Sequence, residues 1–334
     1  MFGWFKAKKN KDKDKDKDKG DWRSSNAHLL LLSKFRQPEG ADRFQNDPNW
    51  AAALGESPRT AIRALRSAGM LRACELHELL EAKFKGSDLK RMLKAAGLKV
   101  SGRKSEQALR LAENDEAGAR QAVGDFFALR CTSEGEGVAE HFLAQQEKVR
   151  KNVESAVFDK LREQDFKGAA AIVKDFEADQ VFSRGMGIDW SKTAMTKEIR
   201  ELEFISRNVP GILSGEGEET LRDLRTAAGM MLLWGTNTAK TWFPDGINTA
   251  GHLDADSAAR MLMFYAFHMD ELRDLKALGV KSVQIMGVND GNQCEACRAL
   301  DGKKFTLKTV PELPLSKCTC EIGCRCHYQG KVVG

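Results

Sequence analysis

Apolar residues along most of this chain return every three or four positions, the spacing that gathers them on one face of an α-helix. Phe142, Val149, Val153, Val157 and Leu161 make one such stripe and predict a long amphipathic helix. The stretch 117–207 reads as a set of these helices broken by glycine, and Pro210 ends the pattern. Two more helices are predicted over Glu218–Trp234 and Asp254–Leu278, the second closed by Gly279. Its middle, Ala259–Met269, is apolar on almost every side, which predicts burial within a bundle. Upstream the helices are shorter. Ser57 caps one that has Pro58 at its first helical position and Gly69 at its end. A second is expected from Leu71 to Phe84. Ser87 is expected to cap a third, with Leu89, Met92, Leu93 and Ala96 as its stripe and Gly97 as its stop. A fourth runs from Arg103 to Glu113. After Gly279 the period falls to two: Ser282–Val288 alternates as a strand does, and Asp290-Gly291 signals a turn.

The first 24 residues lack any such pattern. Lysine and aspartate alternate from Lys11 to Lys19, so this segment is expected to stay solvated as a tail. Phe2, Trp4 and Phe5, set among Lys6, Lys8 and Lys9, fit either a frayed terminus or a small membrane or partner anchor. The four leucines Leu29–Leu32 are too few to span a bilayer, so no stable membrane insertion is expected. Seven prolines and only two tyrosines among 334 residues favour helix over sheet. The fold class expected is therefore mainly α: a multi-helix body with a small C-terminal α+β module rich in cysteine and clasped by metal. The segments are a tail at 1–24, a helical region at 57–115, a helical body at 117–279 and the cysteine-rich module at 280–330.

Charge adds one feature. The net charge is only +5, but between Lys83 and Arg110 nine basic residues face two acidic ones. Lysines and arginines beside a helix N-terminus can meet phosphates without reading bases, giving modest, salt-sensitive affinity. The candidates are Lys90, Arg91, Lys94, Lys99, Arg103 and Lys104. A solvated basic face on a structural helical hairpin accounts for the same residues.

Cysteine carries the strongest chemical signal. Six of the eight lie between Cys294 and Cys326, as one Cys-x-x-Cys and two Cys-x-Cys pairs with His327 adjoining. That is metal-clasping spacing, and thiolates are soft ligands that suit zinc in a reducing compartment. Three disulfides, or free thiols, are the alternatives. Disulfides need an oxidising compartment, and the N-terminal segment has no apolar stretch of the kind that leads a chain there. Cys294 and Cys297 are expected to act together, with one further ligand from Cys318/Cys320 and one from Cys324/Cys326. Six thiols exceed the four that one tetrahedral ion takes, so one or two ions both fit. About fifty residues build little core, a physical reason for a metal staple. Cys74 and Cys131 stand alone and are expected to be buried as small hydrophobes.

Asp290, Cys294, Cys297, Leu300, Asp301, Gly302, Lys303, Phe305, Pro311, Pro314 and Cys324-Arg325-Cys326 follow one another in an order and spacing that resembles the phage Mu F-like head-morphogenesis family. The likeness covers some forty residues. It implies a minor head protein that meets capsid or portal proteins. That family usually has a histidine shortly before Cys-Arg-Cys; here Cys318 and Cys320 occupy the stretch. Asp88, Leu89, Leu93, Gly97, Leu98, Gly102, Lys104, Arg110 and Leu111 resemble a SAP motif, which implies contact with double-stranded DNA. Gln107 stands where that motif usually has leucine, weakening the buried face of its second helix.

Catalytic motifs are missing. No HExxH, P-loop, GxGxxG or GxSxG is present, and His141, His252 and His268 lack ligand partners at helical spacing. Zinc held only by cysteine is closed and structural. The expected function is a non-catalytic phage or prophage head protein, found in the virion or host cytoplasm, with a structural zinc site and a DNA-contacting segment. The alternative is a cellular, non-catalytic DNA-binding adaptor with the same two features.

Overall fold

The computed structural model describes residues 21–185, 188–288 and 290–330. The expected tail and its aromatic start lie outside these residues, except for 21–24, where Trp22–Ser24 form a 3-10 turn. The chain divides into two compact units, 1–148 and 149–334, and the division falls inside one helix.

The first unit runs α1 (Asn26–Ser33), β1 (Glu39–Gly40), α2 (Asp42–Gln45), α3 (Pro48–Leu54), α4 (Pro58–Ser67), β2 (Leu71–Ala73) and α5 (Leu76–Lys83). It continues through α6 (Gly86–Ala95), α7 (Lys104–Asn114), α8 (Glu116–Val123) and β3 (Ala128–Cys131) into the start of α9 (Ser133–Arg162). Ser57 caps α4 as expected, its hydroxyl accepting the Thr60 N–H at 3.2 Å. Two expectations are corrected. Leu71 opens a strand, because Leu71–Ala73 pairs antiparallel with β3, placing Leu71 opposite Cys131. Helix α5 starts only at Leu76, where the Glu78 carboxylate accepts the Glu75 N–H at 2.9 Å. Ser87 is not a cap, because α6 begins at Gly86 and the Asp88 carboxylate takes the Lys85 N–H at 3.1 Å.

The sheet of this unit has the order β1-β3-β2, with Glu39 opposite Leu129 on its other edge. Helices α5 to α8 close over a small core of Leu80, Leu89, Leu93, Ala108, Leu111 and Val123. Cys131 is buried, its thiol donating to the Leu32 carbonyl at 3.4 Å, whereas Cys74 is only half-buried. Burial pushes the Cys131 thiol up to about 11 and that of Cys74 to about 12, so both stay protonated.

The second unit holds the rest of α9, then α10 (Phe166–Ala178), α11 (Thr196–Arg207), α12 (Glu218–Trp234) and α13 (Ala255–Ala277). It ends with β4 (Ser282–Met286), α14 (Glu295–Leu300), β5 (Lys304–Thr306) and β6 (His327–Gly330). Helix α13 packs along α12 and α11. It buries Met261, Leu262, Met263 and Ala266, as its continuous apolar surface predicts. The strands pair antiparallel in the order β5-β4-β6, with Val283 between Phe305 and Gly330. Val283 and Ile285 point inward, in step with the two-residue period. Val283, Ile285, Tyr328 and the buried cysteines share one core with Leu224, Met231, Met261 and Leu262. The cysteine-rich stretch is therefore built onto the helical body.

Candidate metal centre

Three short segments deliver the sulfurs. Cys294 is the N-cap of α14 and Cys297 lies three residues on, so one helical turn turns both toward the same side. Cys318 and Cys320 follow the Pro311–Leu315 segment. That segment is anchored by Tyr328, whose hydroxyl donates to the Pro311 carbonyl at 2.7 Å and accepts the Leu313 N–H at 3.0 Å. Gly323 reverses the chain before Cys324: its φ is +87° and its N–H reaches the Cys320 carbonyl at 3.0 Å. A Cβ at Gly323 would meet the Met261 side chain at 2.7 Å, so both backbone and space call for glycine there.

The sulfurs of Cys294, Cys297, Cys318 and Cys320 all lie within 4.8 Å of one another, and those of Cys297, Cys324 and Cys326 form a second such set. Separations are 3.9 Å for Cys294–Cys318, 3.6 Å for Cys297–Cys318, 3.9 Å for Cys297–Cys320 and 4.0 Å for Cys297–Cys324. A disulfide would hold its sulfurs about 2 Å apart; all eight cysteines are free. Four thiolates each about 2.3 Å from a central ion sit about 3.8 Å apart in a tetrahedron, and the measured separations lie on both sides of that value. The six cysteines are thus close enough to hold a metal ion. The first set takes both members of one Cys-x-Cys pair, where spacing alone led us to expect one from each. His327 is exposed, pairs with Met286 across the sheet and belongs to neither set.

Backbone amides prepare these sulfurs for negative charge. The Thr319 N–H donates to the Cys294 sulfur at 3.4 Å, the Cys294 N–H to Cys320 at 3.3 Å, and the Cys320 N–H to Cys318 at 3.5 Å. Burial disfavours the Cys294 thiolate, but the Thr319 amide and neighbouring thiols outweigh it and bring the group down to about 6. Hydrogen bonds from the Cys318 and Cys326 thiols likewise hold Cys324 far below the ordinary thiol range, to about 2. Thiolate is the ligand form of cysteine.

At the rim, Arg325 lies between the last two cysteines and grips Asp290 with both terminal nitrogens, one of them at 3.0 Å. The Arg325 guanidinium holds the Asp290 carboxyl at about 2, so this clasp between the first and last arms is charged throughout the neutral range. His252 adds a contact from the loop before α13, its Nε2 lying 3.2 Å from the Cys320 carbonyl oxygen. Sequence reasoning found the sulfurs and named Asp290 and Arg325. It missed their pairing, the amide donors and His252. Backbone donors leave no trace in residue type.

The basic candidates lie elsewhere, on the α6–α7 hairpin. Lys90, Arg91 and Lys94 sit on α6, Lys99 in the connecting loop, and Arg103 and Lys104 at the N-terminus of α7. All six are exposed. Arg91 is tied to Asp88 at 2.6 Å, while the other five enter no ion pair among the described residues. Gln107 is buried, its side-chain NH₂ donating to the Val100 and Gly102 carbonyls at 3.0 and 2.9 Å. Arg110 binds the Lys99 and Ser101 carbonyls at 2.6 and 3.0 Å. The loop that presents Lys99 is thereby fixed by polar contacts, where the sequence suggested only a weakened apolar face.

Comparison with family models finds none that matches this chain, and comparisons with curated proteins and with solved structures find no match either. Among the described residues no helix is long and apolar enough to cross a membrane.

Proposed function

We propose that the chain is a non-catalytic minor head protein of a phage or prophage, held at the capsid or portal and touching packaged DNA, with structural zinc among its six clustered cysteines. The observation that carries this reading is the convergence of Asp290, Cys294, Cys297 and Cys324-Arg325-Cys326 into one clasp. Those are residues through which the segment resembles the Mu F-like family. Zinc is the ion that suits a soft, all-thiolate, tetrahedral donor set in a reducing compartment. Five exposed basic side chains without an ion pair on the α6–α7 hairpin, Arg103 and Lys104 among them at the start of α7, support contact with the phosphates of double-stranded DNA, irrespective of base sequence. The protein would then be found in the virion or the host cytoplasm.

A family likeness in one segment does not by itself carry function, so the test is made on particles. DNA-filled heads purified from the producing cells and treated with nuclease should yield peptides of this chain at a fixed, low copy number. In parallel, changing Lys90, Arg91, Arg103 and Lys104 together to alanine should weaken duplex binding alike for all sequences and flatten its salt dependence, by about one unit of slope per lost phosphate contact. Absence from particles, with DNA binding retained and lost in the variant, would replace the head protein by a cellular DNA-binding adaptor. Loss of neither would remove DNA from the reading.

A further inference from the structure

The surplus of sulfur has a geometric order. The two sets of cysteines meet at Cys297, which is 3.6 Å from Cys318, 3.9 Å from Cys320 and 4.0 Å from Cys324. The second set, Cys297, Cys324 and Cys326, is one ligand short of a tetrahedron. Shared through Cys297, the six sulfurs offer one ion four thiolates and a second ion three, whose fourth position falls to a non-cysteine ligand. Resting on the zinc reading above, we propose that the centre is binuclear: Cys294, Cys318 and Cys320 complete one site, Cys324 and Cys326 belong to the other, and Cys297 bridges them.

Charge and burial favour two ions over one. With a single dication on the first set, Cys324 and Cys326, 1% and 3% exposed, would be left as buried thiols crowded against a filled site. Six thiolates around two dications carry the same net charge, −2, as four around one, so the second ion brings no additional charge into the core. The shared residue is fully enclosed, Cys297 being 1% exposed, whereas Cys294 at the edge is only partly buried. Arg325, between two terminal ligands, offsets part of the residual negative charge while remaining fixed by Asp290.

The full-length chain, reduced and stripped of metal, is titrated with Cd(II) while thiolate-to-metal absorption is followed, and the loaded protein is weighed by native mass spectrometry. The expected result is a break at two ions per chain. In ¹¹³Cd spectra two resonances coupled through shared sulfur should appear. Cys324→Ser combined with Cys326→Ser should bind one ion and keep its helical circular dichroism. A break at one ion, unchanged in that double variant, overturns the binuclear centre and leaves the single structural site standing. No tight binding overturns both. Two uncoupled resonances overturn the bridging role of Cys297. Should the double variant fail to fold, the wild-type stoichiometry and coupling decide the matter alone.

Discussion

Glu78 shows how much one buried side chain can organise. It is 2% exposed, yet it accepts both terminal nitrogens of Arg72 at 2.7 Å, Arg130 at 3.0 Å and the Glu75 N–H at 2.9 Å. One carboxylate thus joins β2, β3 and the start of α5. Burial alone would raise its pKa, but the Arg72 and Glu75 hydrogen bonds and Arg130 outweigh it and hold the group at about 2. A carboxyl depressed in the folded state stabilises fully above its unfolded pKa and loses that contribution as pH falls through the folded value. Here the loss runs from about pH 4.5 down to about pH 2. Glu78→Gln should cost about 2–3 kcal/mol at pH 7, at the lower end for a broken buried pair because both arginines can reach water. Urea unfolding at pH 7 and near pH 2 checks this. The gap between wild type and variant should close at the lower pH, and a gap independent of pH would count against an ionic role. The sequence did not reveal this residue, because Glu78 follows His77 in a helical stretch and looks like any exposed acid.

At the scale of elements, long helices were legible and short strands were not. α12 and the core of α13 fall where their periodicity places them, since seventeen or more residues give the apolar stripe several turns in which to repeat. β1 and β2 have two and three residues, too few for alternation to show, and their pairing with β3 joins positions up to ninety residues apart. The cap of α6 failed for a local reason: Asp88 reaches the free N–H of Lys85, so Ser87 falls inside the helix. Helix α9 holds a test of contact against propensity. Gly135 and Gly137 both lie in its first turns, where alanine would normally add about 1 kcal/mol. A Cβ at Gly137 meets nothing within 4 Å, whereas one at Gly135 would lie 2.0 Å from the Met70 carbonyl oxygen. Gly137→Ala should therefore raise stability by about 0.5–1 kcal/mol. Gly135→Ala should lower it, because the carbonyl belongs to backbone that cannot swing aside and also holds the Thr132 N–H at 2.9 Å. Thermal unfolding of the pair reads the sign directly. Equal shifts in one direction would mean that α9 and the Met70 segment separate readily.

For the whole molecule, the sequence located the candidate metal centre and left its foundation unseen. Clustered cysteines announce themselves at any distance from a core, but nothing in their spacing says that Cys297, Cys318, Cys324 and Cys326 pack with Leu224, Met231 and Met261. The centre is thus continuous with α12 and α13, and its influence should extend beyond the fifty residues that carry it. Stripping metal under reducing conditions removes what holds the six thiols in two sets, each within 4.8 Å, and leaves thiolates to repel one another or take up protons. The strands β4 and β6 should then lose amide-exchange protection first, followed by the part of α13 around Met261 that Gly323 abuts. Helices α5 to α8 have their own core in the other compact unit, so their exchange should not change. Cys294→Ser should reproduce the pattern in weakened form, being at the edge of the cluster, and Cys297→Ser in full, being in both sets. Protection lost only after Met286, with α13 untouched, would show that the helical body supports the cysteine segment without depending on it. Loss throughout both units would point instead to general unfolding. The graded outcome, strands before helix and Cys297 before Cys294, is what a metal centre set into a helical core requires.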